Sequence, residues 1–391
     1  MRVFALGGSG TYGRLTAQKL VASEVVSELM VAARNIESAR STAAELGPKA
    51  TAIQVDIRDE ERLASQAEDS DIMVNTIGPD FKVALPALRA AIKARVNYCD
   101  LCCHSLTREK AQTLDSSAKA SGITALMGIG VAGLSNLIMM HAADQLDRAE
   151  EIRCCIFSPI ALWGDPKTVL TTWKRYGRAD ASWQLAMRWA AEKTRLYRDR
   201  RWIDVDPVEE ATRVRLPLGE EVTAYPVGLT EPITLPRALP SIQSVSSLWS
   251  LYPPELNEQL FKTGQRVARG ELDESEAAVL FYEYLAAQPE QSLTAPKGHE
   301  SGWELWVEAI GVKQNNRVCY RSWPSSDWYS TAGPLALAVL KILNGDIRAK
   351  GILSPESCLD PMRFFAEVAQ NAGVKLPDGR LLDESFEVLT K

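Results

Sequence analysis

The sequence predicts an α/β protein: a Rossmann-type, doubly wound parallel sheet followed by a large second domain of helices and strands. Three observations carry this. The chain opens on an apolar run, Val3-Phe4-Ala5-Leu6, that breaks into Gly7-Gly8-Ser9-Gly10-Thr11-Tyr12-Gly13 and then into a helical segment. Short apolar strands alternate with longer helical segments as far as about residue 128, the pattern of parallel strands joined by right-handed crossovers. Beyond that point the composition changes, because all 10 Trp fall between Trp163 and Trp328.

Gly8, Gly10 and Gly13 stand in G-x-G-x-x-G spacing. The first allows a tight turn, the second lets backbone approach a pyrophosphate, and the third packs helix on strand. The helix start that follows is an anion site, since its first amides lack partners and its dipole is positive there. Residues Gly8, Ser9, Gly10, Thr11, Tyr12 and Gly13 are therefore the predicted dinucleotide cradle. The second strand, Leu29-Met30-Val31-Ala32-Ala33, ends in Arg34-Asn35. An acid expected about 20 residues past the turn would bond the 2′-hydroxyl of NAD. Arg34 stands there instead and suits the 2′-phosphate of NADP. The competing reading is an Arg that solvates a helix start. NADP is the expected cofactor, with NAD as the alternative.

A helix over 36–46 leads to a strand over 51–55 that ends in Asp56-Ile57, then a short helix over 60–66 and a fourth strand over 71–76. The end of that strand, Asn75-Thr76-Ile77-Gly78-Pro79, faces the same crevice as the glycine turn, because open parallel sheets bind ligands beyond their strand ends. An amphipathic helix over 84–94 precedes the strand Val96-Asn97-Tyr98-Cys99-Asp100. A further helix and strand reach Gly128-Ile129-Gly130-Val131. The Trp-bearing interval predicts helix over 180–197 and strands over 213–216, 222–225 and 303–310. The Pro- and Ser-rich stretch 226–254 reads as loops. An apolar helix over 332–342 ends at Asn344-Gly345, and the tail 346–391 reads as closing helices and turns. The composition places a domain boundary near residue 128 and a second domain over the Trp-bearing interval.

At 391 residues the chain suits two cores. A formal net charge of −6 argues against nucleic acid or an acidic membrane surface as partner. No basic stretch with a long apolar segment opens the chain, so neither signal peptide nor membrane span is expected, and the cytoplasm is the expected location. The 7 Cys are uneven in number and make no disulfide scaffold. Cys99, Cys102, Cys103 and His104 invite a zinc reading, but one six-residue stretch would have to supply every ligand, so no metal is expected.

Asp100, at the end of a strand that reaches the crevice, is the first acid-base candidate and a carboxylate able to stabilise a developing cation. A turn or capping Asp is the competing reading. Cys102 and His104 share its loop and are candidate proton relays. Arg175 and Arg237 are candidate partners for a substrate carboxylate.

With these residues in view the chain resembles the saccharopine dehydrogenase family. The resemblance rests on Gly8-Ser9-Gly10-Thr11-Tyr12-Gly13; on Asn75-Thr76-Ile77-Gly78-Pro79; on Val96-Asn97-Tyr98-Cys99-Asp100; and on Gly133-Leu134-Ser135-Asn136. It rests further on Gly228 with Glu231-Pro232 and Thr234-Leu235-Pro236-Arg237, and on Gly351-Ile352-Leu353 with Pro355-Glu356. It implies NAD(P)-dependent oxidation of an amine or reduction of an imine derived from an amino acid. It also implies a split nucleotide domain, 1–128 with 331–391, around a large inserted α+β domain, 129–330, that carries a mixed sheet and dimer contacts, as well as a substrate-pocket wall at Trp183, and Asp56-Ile57 beside the adenine. The chain departs from the family pattern at Ala132, where Pro is usual, at Asp80, inserted before Phe81, and at Tyr225-Pro226-Val227-Gly228, which lacks an Arg. Saccharopine itself is therefore not the expected substrate, and a non-catalytic NADP-binding sensor or scaffold is the alternative function. A short-chain-type reductase shares the glycine turn, but its usual proton donor is absent, since no Tyr is followed by Lys four positions later.

Overall fold

The computed structural model describes residues 1–160, 164–217, 219–289, 293, 304–326 and 330–389. Trp163, Trp303 and Trp328 lie outside the described residues. Two compact units are present: Met1–His141 with Pro324–Asp383, and Ala142–Trp323 with Glu384–Lys391. These edges differ from the expected 128 and 330, because the chain crosses between units inside a helix, Val131–Asp144, and its last strand straddles residue 383.

The first unit begins β1 (Arg2–Leu6), α1 (Thr11–Val21), β2 (Glu28–Ala33), α2 (Ile36–Leu46), β3 (Ala50–Gln54), α3 (Glu60–Ala67) and β4 (Ile72–Asn75). It continues through α4 (Asp80–Ala94), β5 (Asn97–Asp100), α5 (Ser105–Gln112), α6 (Asp115–Ala120), β6 (Thr124–Leu126) and α7 (Val131–Asp144). Apolar runs such as Ile72-Met73-Val74 are buried on both faces, as central parallel strands must be. Helix α2 starts where Asn35 accepts the Glu37 and Ser38 amides, and α3 where Asp59 accepts that of Arg62. Helix α4 begins four residues before the expected start, directly after Pro79.

The second unit holds β7 (Arg148–Pro159), α8 (Pro166–Tyr176), α9 (Ala181–Ala191), β8 (Thr194–Arg198), β9 (Arg201–Val205), β10 (Thr212–Arg215) and β11 (Glu221–Pro226). Then come α10 (Glu231–Ala238), β12 (Ser244–Tyr252), α11 (Glu255–Ala268), α12 (Glu274–Ala286), β13 (Glu304–Lys313) and β14 (Asn316–Pro324). Two expectations are corrected here. The helix expected over 180–197 stops at Ala191, and its end is strand β8, which pairs antiparallel with β9. The stretch 226–254 is not loop: it contains α10 and the nine-residue strand β12, hydrogen-bonded in parallel to β7. Val245, Leu248 and Leu251 are buried along β12, with Ser247 and Ser250 buried among them. Short hydroxyl side chains can enter a packed sheet once hydrogen-bonded, and Ser247 donates to Glu231 at 3.0 Å.

The chain then adds α13 (Ala332–Leu343), β15 (Gly351–Leu353), α14 (Pro361–Ala372) and β16 (Leu382–Val388). The tail thus contributes a strand to each sheet, in place of helices and turns alone. The first sheet is parallel throughout, in the order β15-β6-β5-β4-β1-β2-β3. The second is mixed, with β10-β11-β12-β7-β13-β14-β16 as its main path and β8 and β9 attached at β12. No described helix is long and apolar enough to cross a membrane.

Candidate functional site

The glycine turn sits at the carboxyl end of β1, the centre of a Rossmann order, where strand order reverses. Its glycines have separate causes. A Cβ on Gly13 would stand 2.1 Å from Gly7 O and 2.7 Å from Thr76 Oγ1, so only Gly lets α1 seat on the turn. Gly8 is confined by Ala5 O at 3.0 Å. Gly10 differs: it is exposed, extended at φ −78°, and a Cβ there meets one atom within 4 Å, Gly7 O at 3.3 Å. Packing within the chain is thus less demanding at Gly10 than at Gly13, which suits a position where a ligand approaches the backbone. Gly10 is also the N-cap of α1, and neither a capping side chain nor an acid in the first turn competes for the helix start. These features fit a dinucleotide diphosphate. Ser9 is half-buried, and Thr11 and Tyr12 are exposed on the first turn.

Arg34 is exposed at the end of β2, and its carbonyl accepts from Gln54. Asn35 beside it is committed to capping α2. Asp56, at the end of β3, is gripped by Arg58, whose side-chain hydrogen bonds hold the carboxyl far below the usual carboxylate range. Ile57 packs against the apolar core of this unit. At the end of β4, Thr76 donates to Leu6 O at 3.1 Å, tying that loop to β1. Asn75 is buried and makes two bonds of its own: its Oδ1 accepts the Ile77 amide at 3.1 Å and its Nδ2 donates to Tyr98 at 3.1 Å. Gly78 and Pro79 follow through a cis peptide.

Asp100 is 1 % exposed, level with Asn75 in the β4–β5 register. Its Oδ1 accepts the Cys102 amide at 3.0 Å and the Gly128 amide at 2.9 Å, and its Oδ2 accepts the Tyr98 hydroxyl at 2.9 Å. Burial raises its carboxyl to about 6, against the opposing pull of those three donors. Tyr98, two residues earlier on the same face of β5, therefore joins Asn75 to Asp100. That residue was legible only as part of a family marker; the i, i+2 spacing from Asp100 was the signal for its role.

The other proposed relays are as deeply placed. Cys102 is 1 % exposed, and burial pushes its thiol up, so it carries no thiolate near neutral pH. His104 is 3 % exposed, caps α5, and has Nδ1 2.9 Å from Thr107 Oγ1. Asp100, Cys102 and His104 thus lie at the end of β5 and in the loop after it, beside the end of β4, as side chains embedded in the protein rather than displayed on its surface.

The candidate substrate residues all belong to the second unit. Trp183 is buried in its core, with ring centroids 5.2 Å from Phe281 and 5.0 Å from Tyr282. Arg175 is exposed in the last turn of α8 and Arg237 in the last turn of α10. The seven cysteines form no disulfide.

A family model described as saccharopine dehydrogenase NADP-binding domain matches residues 3–126. Among curated proteins, the trans-acting enoyl reductase of Mycobacterium leprae (strain TN) is 32% identical over 98 residues, 24% of this chain and 23% of that protein. That of Mycobacterium tuberculosis (strain ATCC 25618 / H37Rv) is 30% identical over 122 residues, 29% of each chain. The alignment thus spans less than a third of the length of these curated relatives. Apo histidine-tagged saccharopine dehydrogenase (L-Glu forming) from Saccharomyces cerevisiae matches 99% of this chain and 100% of its own, with a TM-score of 0.66 at 16% identity, a likeness of fold. Residues 3–126 thus match the saccharopine dehydrogenase NADP-binding domain, and the chain has the fold of saccharopine dehydrogenase over nearly its whole length.

Proposed function

We propose that this protein is an NADP-preferring oxidoreductase that acts on the CH–NH bond of an amine or imine derived from an amino acid. The observation that supports its dinucleotide half is the start of α1, where the N-cap Gly10 is exposed and no side chain caps the helix. Backbone amides there hold the diphosphate, and Arg34 pairs with the 2′-phosphate. The nicotinamide, when bound, supplies hydride chemistry. The protein's part is to align the reactants and shape the charge around them. Asp100 favours a cationic iminium carbon through its charge, and a carboxyl titrating near 6 exchanges its proton in the working range. Arg237 and Arg175 are the proposed grips for a substrate carboxylate, and the inserted domain is the proposed dimer contact.

A second reading, reduction of an enoyl double bond, is favoured by the curated relatives, which are named as trans-acting enoyl reductases. One assay separates the two. Purified protein is mixed with NADPH and with paired amino acids and keto acids, then with enoyl thioesters, while nicotinamide absorbance is followed. Loss of signal with an amino acid and keto acid pair supports the first reading. Loss with an enoyl thioester alone replaces it with the second. NADPH binding without consumption by any of them leaves the sensor or scaffold alternative.

A further inference from the structure

The geometry points to Asp80 as a positioning residue whose carboxylate fastens the loop after β5 to the loop after β4. Asp80 is the first residue of α4, immediately beyond Gly78 and Pro79. Its Oδ2 accepts the Cys103 amide at 2.7 Å and the His104 amide at 3.0 Å, while its Oδ1 accepts the Phe81 amide at 2.8 Å. One carboxylate thus satisfies two main-chain donors from a segment more than twenty residues away in sequence. Such charge-assisted bonds are among the strong ones, and the first turn of a helix favours a negative charge. The Phe81 ring adds to the junction, with its centroid 5.7 Å from that of His104.

Asp100 completes the arrangement from the other side. It pins Cys102 and Gly128, as Asp80 pins Cys103 and His104, so consecutive amides 102–104 are divided between two carboxylates. The loop is thereby fixed to the start of α4 and to β5, and through Asp100 to the turn after β6. Asp80 also acts through its charge, because it disfavours the Asp100 anion. The titratable groups that share the Asp100 environment are Tyr98 and Cys99 on β5, Cys102 in the loop, and Asp80 on α4. The inference rests on residues 75–79 being the nucleotide loop only for its link to NADPH; the tie itself is independent of that reading.

Two variants separate geometry from charge. Asp80→Asn keeps an acceptor oxygen and removes the charge, whereas Asp80→Ala removes both. In hydrogen exchange, the Cys103 and His104 amides of Asp80→Ala should exchange about tenfold faster than in the parent, and those of Asp80→Asn within about threefold of it. In carboxyl-carbon NMR, with the Asp100 resonance assigned by its loss in Asp100→Asn, the midpoint should fall by on the order of half a pH unit in Asp80→Asn. NADPH added to the parent should slow exchange at 103 and 104, and in Asp80→Ala it should not. Unaltered exchange in Asp80→Ala, or an unmoved Asp100 midpoint in Asp80→Asn, overturns the assignment. If NADPH fails to bind the parent, the dinucleotide reading fails, while the exchange and NMR results still decide the role of Asp80.

Discussion

Replacing Gly10 by Ala should separate nucleotide binding from folding. Gly10 sits at φ −78°, ψ 174°, a region open to every residue, and its new Cβ would meet only Gly7 O, at 3.3 Å. Ala is a poorer N-cap than Gly, by up to about 1 kcal/mol. A unit of this size should lose about 2–4 °C in Tm for that change. Binding should suffer more, since the methyl group stands between the diphosphate and the first amides of α1. Loss of one charge-assisted hydrogen bond costs about 1.5–3 kcal/mol. The Kd for NADPH should therefore rise roughly 10- to 150-fold. Isothermal titration calorimetry with NADPH, with thermal unfolding of the same samples, measures both quantities. Gly13→Ala is the contrast: its Cβ would lie 2.1 Å from Gly7 O, so the turn itself must open and the fold should suffer first. A Gly10→Ala protein that binds NADPH within twofold of the parent would refute the reasoning, because the diphosphate would then not lie against that backbone.

Arg34→Ala should weaken NADPH by about tenfold or more and NADH by less than about threefold, measured by the same calorimetry, since only NADPH carries the 2′-phosphate. Equal losses would remove the cofactor preference. Trp183→Ala should destabilise the second unit by about 3–5 kcal/mol in denaturant unfolding, as truncation of a packed aromatic does. A change smaller than 1 kcal/mol would return Trp183 to the pocket-wall role that the family resemblance implies. For Asp100 the carboxyl is raised from 3.8 to about 6 by burial, so the folded chain holds the proton more tightly than the unfolded one. Its contribution to stability is complete below about pH 4 and is lost as pH rises through 6, by about 3 kcal/mol in all. Unfolding of the parent against Asp100→Asn between pH 4 and 7 checks the sign, and the two curves should converge toward the acid end relative to their separation at neutral pH.

What the sequence disclosed follows from the range of the interactions that decide each element. The turn at residues 7–13 is set by sterics among near neighbours, so its glycine spacing is visible locally, and α2 appears at its read position because Asn35 caps it two and three residues ahead. Strand β12 was hidden because its Ser-rich text resembles a loop until β7, almost a hundred residues away, supplies the parallel ladder. The three-residue strand β15 likewise exists only because β6 pairs with it. The same distinction runs through the site. Asp100 was found from its position at a strand end, but its hydrogen bonds come from Gly128 and Tyr98 as well as from its own loop, and only the first of these is remote in sequence. Asp80 could be read as a departure from family pattern, whereas its task is defined by amides at 103 and 104 that no local pattern connects to it. The proposed nucleotide cradle is thus legible where backbone sterics alone shape it. The buried hydrogen-bond network becomes legible only when strand ends are brought side by side, which is why the places of Tyr98 and Asp80 around Asp100 and its loop emerge from the fold and not from the text.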